Sequence, residues 1–185
     1  GRDRRKGCAQ WHQWLLKNAP DATSKDITLE TLIDGMDSAG VDKICACGWS
    51  FETPVWGVDV GNDYVAKCVD KYPDRFIGIA GIDPLKKDAV KEMVRCAKDF
   101  GFKGIKMWPP AGFYPNDKEH CYPIYEKAVE LGIVVVMHMG GSDMPGTRIK
   151  YTHPYFVDDV AKDFPELKIQ INHFGFRMET KEVAS

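Results

Sequence analysis

Five short apolar runs recur along this chain, and a segment with helical spacing of apolar residues precedes or follows each of them. The runs cover 41–48, 76–84, 102–110, 133–140 and 168–175, so their ends fall 26 to 36 residues apart. That spacing suits one strand plus one helix per repeat. The intervening segments carry apolar residues at helical intervals. In 28–40, Thr28 is placed to cap the helix, Leu29, Leu32, Ile33 and Met36 form the stripe, and Gly40 stops it. In 62–72 the stripe is Tyr64, Val65, Cys68 and Val69, and in 88–100 it is Val90, Met93, Val94 and Ala97. Segments 122–131 and 154–164 complete the series. The strands read as continuous Val/Ile runs rather than strict alternation, which points to parallel strands covered by helices.

A chain of 185 residues is expected to form one domain. A net charge of −2 excludes a global basic field for nucleic acid. No apolar run approaches the roughly 18 residues of a membrane helix. Six cysteines are too sparse for a disulfide scaffold, and Cys45, Cys68 and Cys96 read as small core residues in a reducing compartment. With no apolar signal segment at its start, the chain is expected to be cytoplasmic. Five βα units admit an open doubly wound sheet or part of a (β/α)8 barrel. Length favours the first, since complete barrels take about 250 residues. The absence of a G-x-G-x-x-G turn weakens dinucleotide binding.

In parallel α/β folds the functional groups gather at the carboxyl ends of the strands. Here those ends carry Asp83, Lys106 with Trp108, His138 and His173, each histidine two residues before a glycine. Strand alternation puts His138 on one face with Val134 and Val136, and His173 with Ile169 and Ile171. Both imidazoles then point into one space above the core, which turns Gln170 and Asn172 toward the helices; either those two find hydrogen bonds there or the strand is bulged. Neutral imidazole is a common metal ligand at such a position. Two histidines also fit a simple hydrogen-bonded pair of strand ends. Lys106 suits a substrate carboxylate or a loop acid, and Arg148 and His153 suit anion recognition or a solvated loop. Trp49, Trp108, Phe113 and Tyr114 lie near strand ends, where they could wall a flat substrate or pack a loop. Cys45 and Cys47 look like half of a metal clip, but no second pair exists, so core packing is the expectation. No G-x-S-x-G elbow supports a serine nucleophile.

Five stretches, 28–43, 72–84, 101–106, 134–140 and 164–175, resemble in the same order the amidohydrolase-related branch of the amidohydrolase superfamily. That branch includes the aminocarboxymuconate-semialdehyde and resorcylate decarboxylases. The resemblance implies a (β/α)8 TIM-type barrel with one divalent metal, most often zinc, with manganese as the alternative. Its ligands come from an H-x-H on the first strand, a histidine on the fifth, a histidine on the sixth and an aspartate on the eighth. By motif, His138 matches the fifth-strand ligand and His173 the sixth, so the five runs become strands 2–6. The chain has no H-x-H, and nothing after Gly175 resembles a seventh or eighth strand. The expectation is therefore one α/β-barrel domain over 1–185, truncated at both ends. Its exposed strand edges invite homo-oligomerisation.

The resemblance implies metal-dependent chemistry on a small anionic or aromatic substrate, contacted by Lys106, Trp108, Arg148 and His153. Hydrolysis of a C–O or C–N bond by metal-activated water is the leading expectation. Non-oxidative decarboxylation of an aromatic or muconate-type acid is the alternative. An inert fragment or binding protein is the third reading. The partner in the first two is a small molecule, with neither nucleic acid nor membrane.

Overall fold

A computed structural model describes residue 17 and residues 28–51, 58–142 and 147–176. Five strands, β1 (Ile44–Cys47), β4 (Phe76–Gly81), β5 (Gly104–Met107), β6 (Val134–Gly140) and β7 (Ile169–Phe176), form one all-parallel sheet in that order. Between β1 and β4 a two-stranded antiparallel ribbon is inserted, β2 (Trp49–Phe51) with β3 (Val58–Val60). Helices α1 (Leu29–Ser38), α2 (Asn62–Lys71), α3 (Ala89–Asp99), α4 (Tyr122–Leu131) and α5 (Tyr155–Asp163) alternate with the sheet strands. The predicted βα repeat is observed, with helix ends within two residues of expectation. The sheet curls into part of a (β/α)8 barrel rather than an open doubly wound sheet. The ribbon was not anticipated.

Local chemistry accounts for the element ends. The Thr28 hydroxyl accepts a hydrogen bond from the Thr31 N–H at 3.2 Å, satisfying one free donor of α1. At the other end Gly40 takes φ +66° and Val41 N–H returns to the Met36 carbonyl at 2.8 Å. That is the left-handed exit expected of a helix-terminating glycine.

Cross-strand partners share a face, so the register sorts the sheet into two sides. Ala80, Ile105, Val135 and Met137 lie on the outer face, each at most 1% exposed. With Met107, Met93 and Cys96 of α3, Ile124, Tyr125 and Ala128 of α4, and Val157 and Val160 of α5, they form one core. Met36, Met93 and Met107 are buried as expected, whereas Tyr64 is 57% exposed and lies off the α2 stripe. The opposite, concave face carries Cys45, Cys47, Lys106, Val136, His138, Gln170 and Asn172.

Two expectations are corrected by that division. Cys45 and Cys47 share a face, as pleating requires, but both are exposed rather than core. They sit on the concave side of an edge strand, away from the helices that bury Cys68 and Cys96. Gln170 and Asn172 likewise face the concave side, where the Gln170 amide donates to the Asn172 side-chain oxygen at 2.9 Å. Ile169 and Ile171, not His173, occupy the helix-facing positions and pack on the core.

β5 and β6 approach closely at Gly104, where a Cβ would lie 2.5 Å from Val134 Cγ1 and 2.7 Å from its carbonyl oxygen. Gly104→Ala is therefore expected to cost about 2 kcal/mol through overpacking against backbone. Gly35→Ala, in the interior of α1 with nothing within 4 Å of the new methyl, should gain up to about 1 kcal/mol. Urea denaturation of the two variants beside wild type checks both signs.

Candidate metal and substrate site

The ends of β6 and β7 are joined by an irregular ladder. His138 pairs with Asn172, yet Gly140, two residues on, pairs with Phe176, four residues on. Two extra residues are thus accommodated on β7, which is a bulge that re-aims side chains. Within it His173 adopts φ +67°, the sole positive-φ non-glycine residue among those described. Histidine is one of the few side chains enriched in that region, and such backbone strain clusters at functional sites.

The turn brings His173 against His138, with ring centroids 4.3 Å apart and planes inclined at 50°. His138 is half-buried, and one ring nitrogen, Nε2, lies 3.4 Å from the Gly141 carbonyl. Burial, then the neighbouring His173 and Lys106, hold its pKa down at about 4. His138 is consequently neutral at neutral pH with one ring nitrogen free, which is the form that ligates a metal. His138 fits a divalent ion by this test, and the His173 ring lies directly beside it. Among the described residues, no third His, Cys, Asp or Glu joins them in a metal-binding group.

Lys106 stands on the same concave face and is only 7% exposed. No carboxylate among the described residues pairs with it. Burial is the main force on its charge and lowers its pKa to about 8, so the group is still mostly a cation at neutral pH. An uncompensated buried cation is costly unless an anion completes it. Trp108, buried two residues further along, meets the His138 ring edge-on at 5.8 Å. Trp49 of the β2–β3 ribbon lies 5.2 Å from Trp108 in turn. The ribbon that sequence patterning missed thus extends the aromatic wall beside the histidines.

The remaining candidates are placed elsewhere. His153 stacks on Tyr155 at 4.1 Å, and its Nδ1 accepts the Tyr155 N–H at 3.3 Å. Its ring contacts run to Tyr155 and Phe156, not to the paired histidines. Arg148 is exposed, and its N–H bonds the Pro110 carbonyl at 3.3 Å, tying its loop to the turn after Trp108. Phe113 is a core residue, and Tyr114 packs on Tyr151 and Phe156 at 4.6 and 5.0 Å. Asn172, opposite His138 in register, had no motif to single it out. Its place on the concave face follows from the regular pairing of β7 with β6, ahead of the bulge that re-aims His173.

Residues 57–181 match the family described as Amidohydrolase. The chain is 30% identical over 134 residues to a 2-keto-4-carboxy-3-hexenedioate hydratase from Sphingobium sp., covering 62% of this chain and 39% of that protein. It is 31% identical over 102 residues to a 2-amino-3-carboxymuconate-6-semialdehyde decarboxylase from Dictyostelium discoideum, covering 52% of this chain and 27% of the relative. Among solved structures it resembles a manganese-bound 5-carboxyvanillate decarboxylase from Novosphingobium aromaticivorans, with TM-score 0.63 and 25% identity over 79% of this chain and 49% of that one. It also resembles a 4-oxalomesaconate hydratase from Rhodopseudomonas palustris, with TM-score 0.60 and 25% identity over 90% of this chain and 58% of that one. The chain spans well under two thirds of the length of the relatives it matches. No helix among the described residues is long and apolar enough to cross a membrane.

If the two imidazoles share one ion, removing either should weaken metal retention by more than about tenfold. Mass spectrometry of metal per chain, for wild type, His138→Ala and His173→Ala after dialysis against zinc or manganese, checks this. Equal metal content in all three samples would separate the histidine pair from metal binding.

Proposed function

Because this chain belongs to the amidohydrolase family, we propose that it forms the central strands of a metal-dependent lyase that decarboxylates a small, planar, unsaturated or aromatic acid. The observation that carries this reading is the buried Lys106 ammonium, without a carboxylate partner among the described residues, on the same face as the His138–His173 pair and beside the Trp108–Trp49 wall. Lys106 supplies the charge that a substrate carboxylate needs, and the indoles supply a flat apolar surface for its unsaturated body. His138 and His173 are the two ligands contributed by the described residues to a divalent ion, zinc or manganese. A catalytic shell normally takes at least three protein ligands. That ion, when bound, contributes Lewis acidity toward the substrate oxygens.

The residues of the chain divide the remaining work. Lys106 holds the acid and orients it, since a buried ammonium has strong electrostatic preference for an anion and little competition from water. Trp108, almost fully buried, excludes water from the side of the site next to His138. Arg148, on the loop anchored to Pro110, serves as a rim cation for an incoming anion. His153 in this reading supports the same loop through its contacts with Tyr155.

This reading moves weight from hydrolysis to lyase chemistry, because the curated relatives are a hydratase and a decarboxylase. Hydration is the second reading, favoured by likeness to the Sphingobium and Rhodopseudomonas hydratases. It needs the same acid-binding Lys106 and the same ion. The test is a panel of hydroxybenzoic, carboxymuconic and unsaturated dicarboxylic acids with zinc- or manganese-loaded full chain, following carbon dioxide release and loss of ultraviolet absorbance. Carbon dioxide release abolished by chelation supports decarboxylation. Loss of the alkene absorbance without carbon dioxide moves the assignment to hydration, and turnover confined to esters, lactones or amides moves it to hydrolysis. Lys106→Met is expected to raise KM for the active acid by at least about tenfold at unchanged metal content.

A further inference from the structure

Cys45 and Cys47 lie two residues apart on the concave face of the edge strand β1, and both are exposed. Their surroundings differ. Cys47 pairs with Ile79, and Gly81, the next β4 residue on that face, pairs with Lys106. Of the two thiols it is Cys47 that interacts electrostatically with Lys106. Lys106 is buried, carries no carboxylate partner among the described residues, and faces the same space as Cys47. The packed sheet behind Cys47 pushes its thiol pKa up and Lys106 opposes that, so at neutral pH the thiol is largely neutral and leaves the ammonium uncancelled.

We propose that Lys106 and Cys47 form an anion-guided modification site, in which a carboxylate-bearing electrophile docks on Lys106 and alkylates Cys47 in preference to Cys45. With a haloacetate, the carboxylate pairs with the ammonium and the Cys47 Sγ attacks the adjacent carbon. The carbon–halogen bond breaks, its electron pair leaves on the halide, and the thiol proton passes to solvent. The chemical class accepted is a short acid with its reactive carbon next to the carboxylate. Among the other described cysteines Cys68, Cys96 and Cys121 are buried, so Cys45 serves as the internal reference. The inference shares with the proposed function only Lys106 as the acid-binding group. Its readout is alkylation rather than turnover, so failure of one reading is distinguishable from failure of the other.

The experiment compares iodoacetate with the uncharged iodoacetamide on the metal-loaded full chain at pH 7, resolving each thiol by fragment-ion mass spectrometry. The expected result is an iodoacetate-to-iodoacetamide rate ratio at Cys47 about tenfold above that at Cys45, falling with added salt. Lys106→Gln should bring the two ratios together, with the Cys45 iodoacetamide rate unchanged, which reports an intact sheet, and the Cys47 iodoacetamide rate lowered because Lys106 no longer opposes the rise of its thiol pKa. Lys106→Arg should keep the preference. The wild-type comparison needs no variant and stands if Lys106→Gln fails to fold. Equal ratios at the two thiols in wild type would overturn the proposal. So would a preference that survives Lys106→Gln, or one that chelation alone abolishes, since the attracting charge would then lie elsewhere.

Discussion

The two-residue bulge between β6 and β7 is the constraint on which the site depends. A regular parallel ladder through His173 would continue the alternation of Ile169 and Ile171 and send its imidazole toward the helices. The ladder instead holds register up to His138–Asn172, absorbs two residues, and recovers at Gly140–Phe176. In that gap the backbone of His173 enters the left-handed region, and its ring reaches His138 on the concave side. Hydrogen bonding on both sides of the gap offsets the cost of this conformation, which isolated histidine rarely adopts.

The same sheet separates two kinds of energetics. Its outer face buries Ala80, Ile105, Val135 and Met137 under helices and contributes the apolar burial that holds the unit together. Its concave face concentrates the polar groups: a buried lysine, two imidazoles, a Gln–Asn pair and two thiols. Burying Lys106 with no carboxylate partner among the described residues works against stability, and the tightly packed outer core makes that tolerable. The outcome is a buried ammonium on the same face as a pair of imidazoles, all positioned by the sheet before anything binds. Such pre-organisation lowers the cost of binding, because the groups need no further ordering.

The β2–β3 ribbon adds a third contribution. It breaks the βα rhythm after β1 and brings Trp49 against Trp108, which in turn meets His138. An aromatic contact thus runs from an inserted ribbon to the histidine pair. The loop holding Arg148 is likewise tied to the turn after Trp108 through Pro110. The loop and the strand end are thus connected through the turn that follows Trp108.

Much of this was legible in sequence, for a physical reason. Apolar periodicity and capping residues are local, so the strand–helix repeat, the Thr28 cap, the Gly40 stop and the buried methionines followed from spacing alone. Strand ends in parallel sheets gather function, so His138, His173, Lys106 and Trp108 could be named before any coordinates. The side chains' directions were not legible at β7 or β1. Alternation put His173 with Ile169 and Ile171 and set Gln170 and Asn172 on the helix face, a discordance that left local hydrogen bonding or a bulge open, and only pairing with β6 decides for the bulge. Cys45 and Cys47 read as core because their strand is apolar, whereas their exposure depends on which face of an edge strand the helices cover. Residue types and their order along the chain determined what chemistry was available. Only long-range strand pairing, which sets register and face, decided that the two imidazoles would meet, that Lys106 would be buried with no carboxylate partner among the described residues, and that Cys47 would share its face.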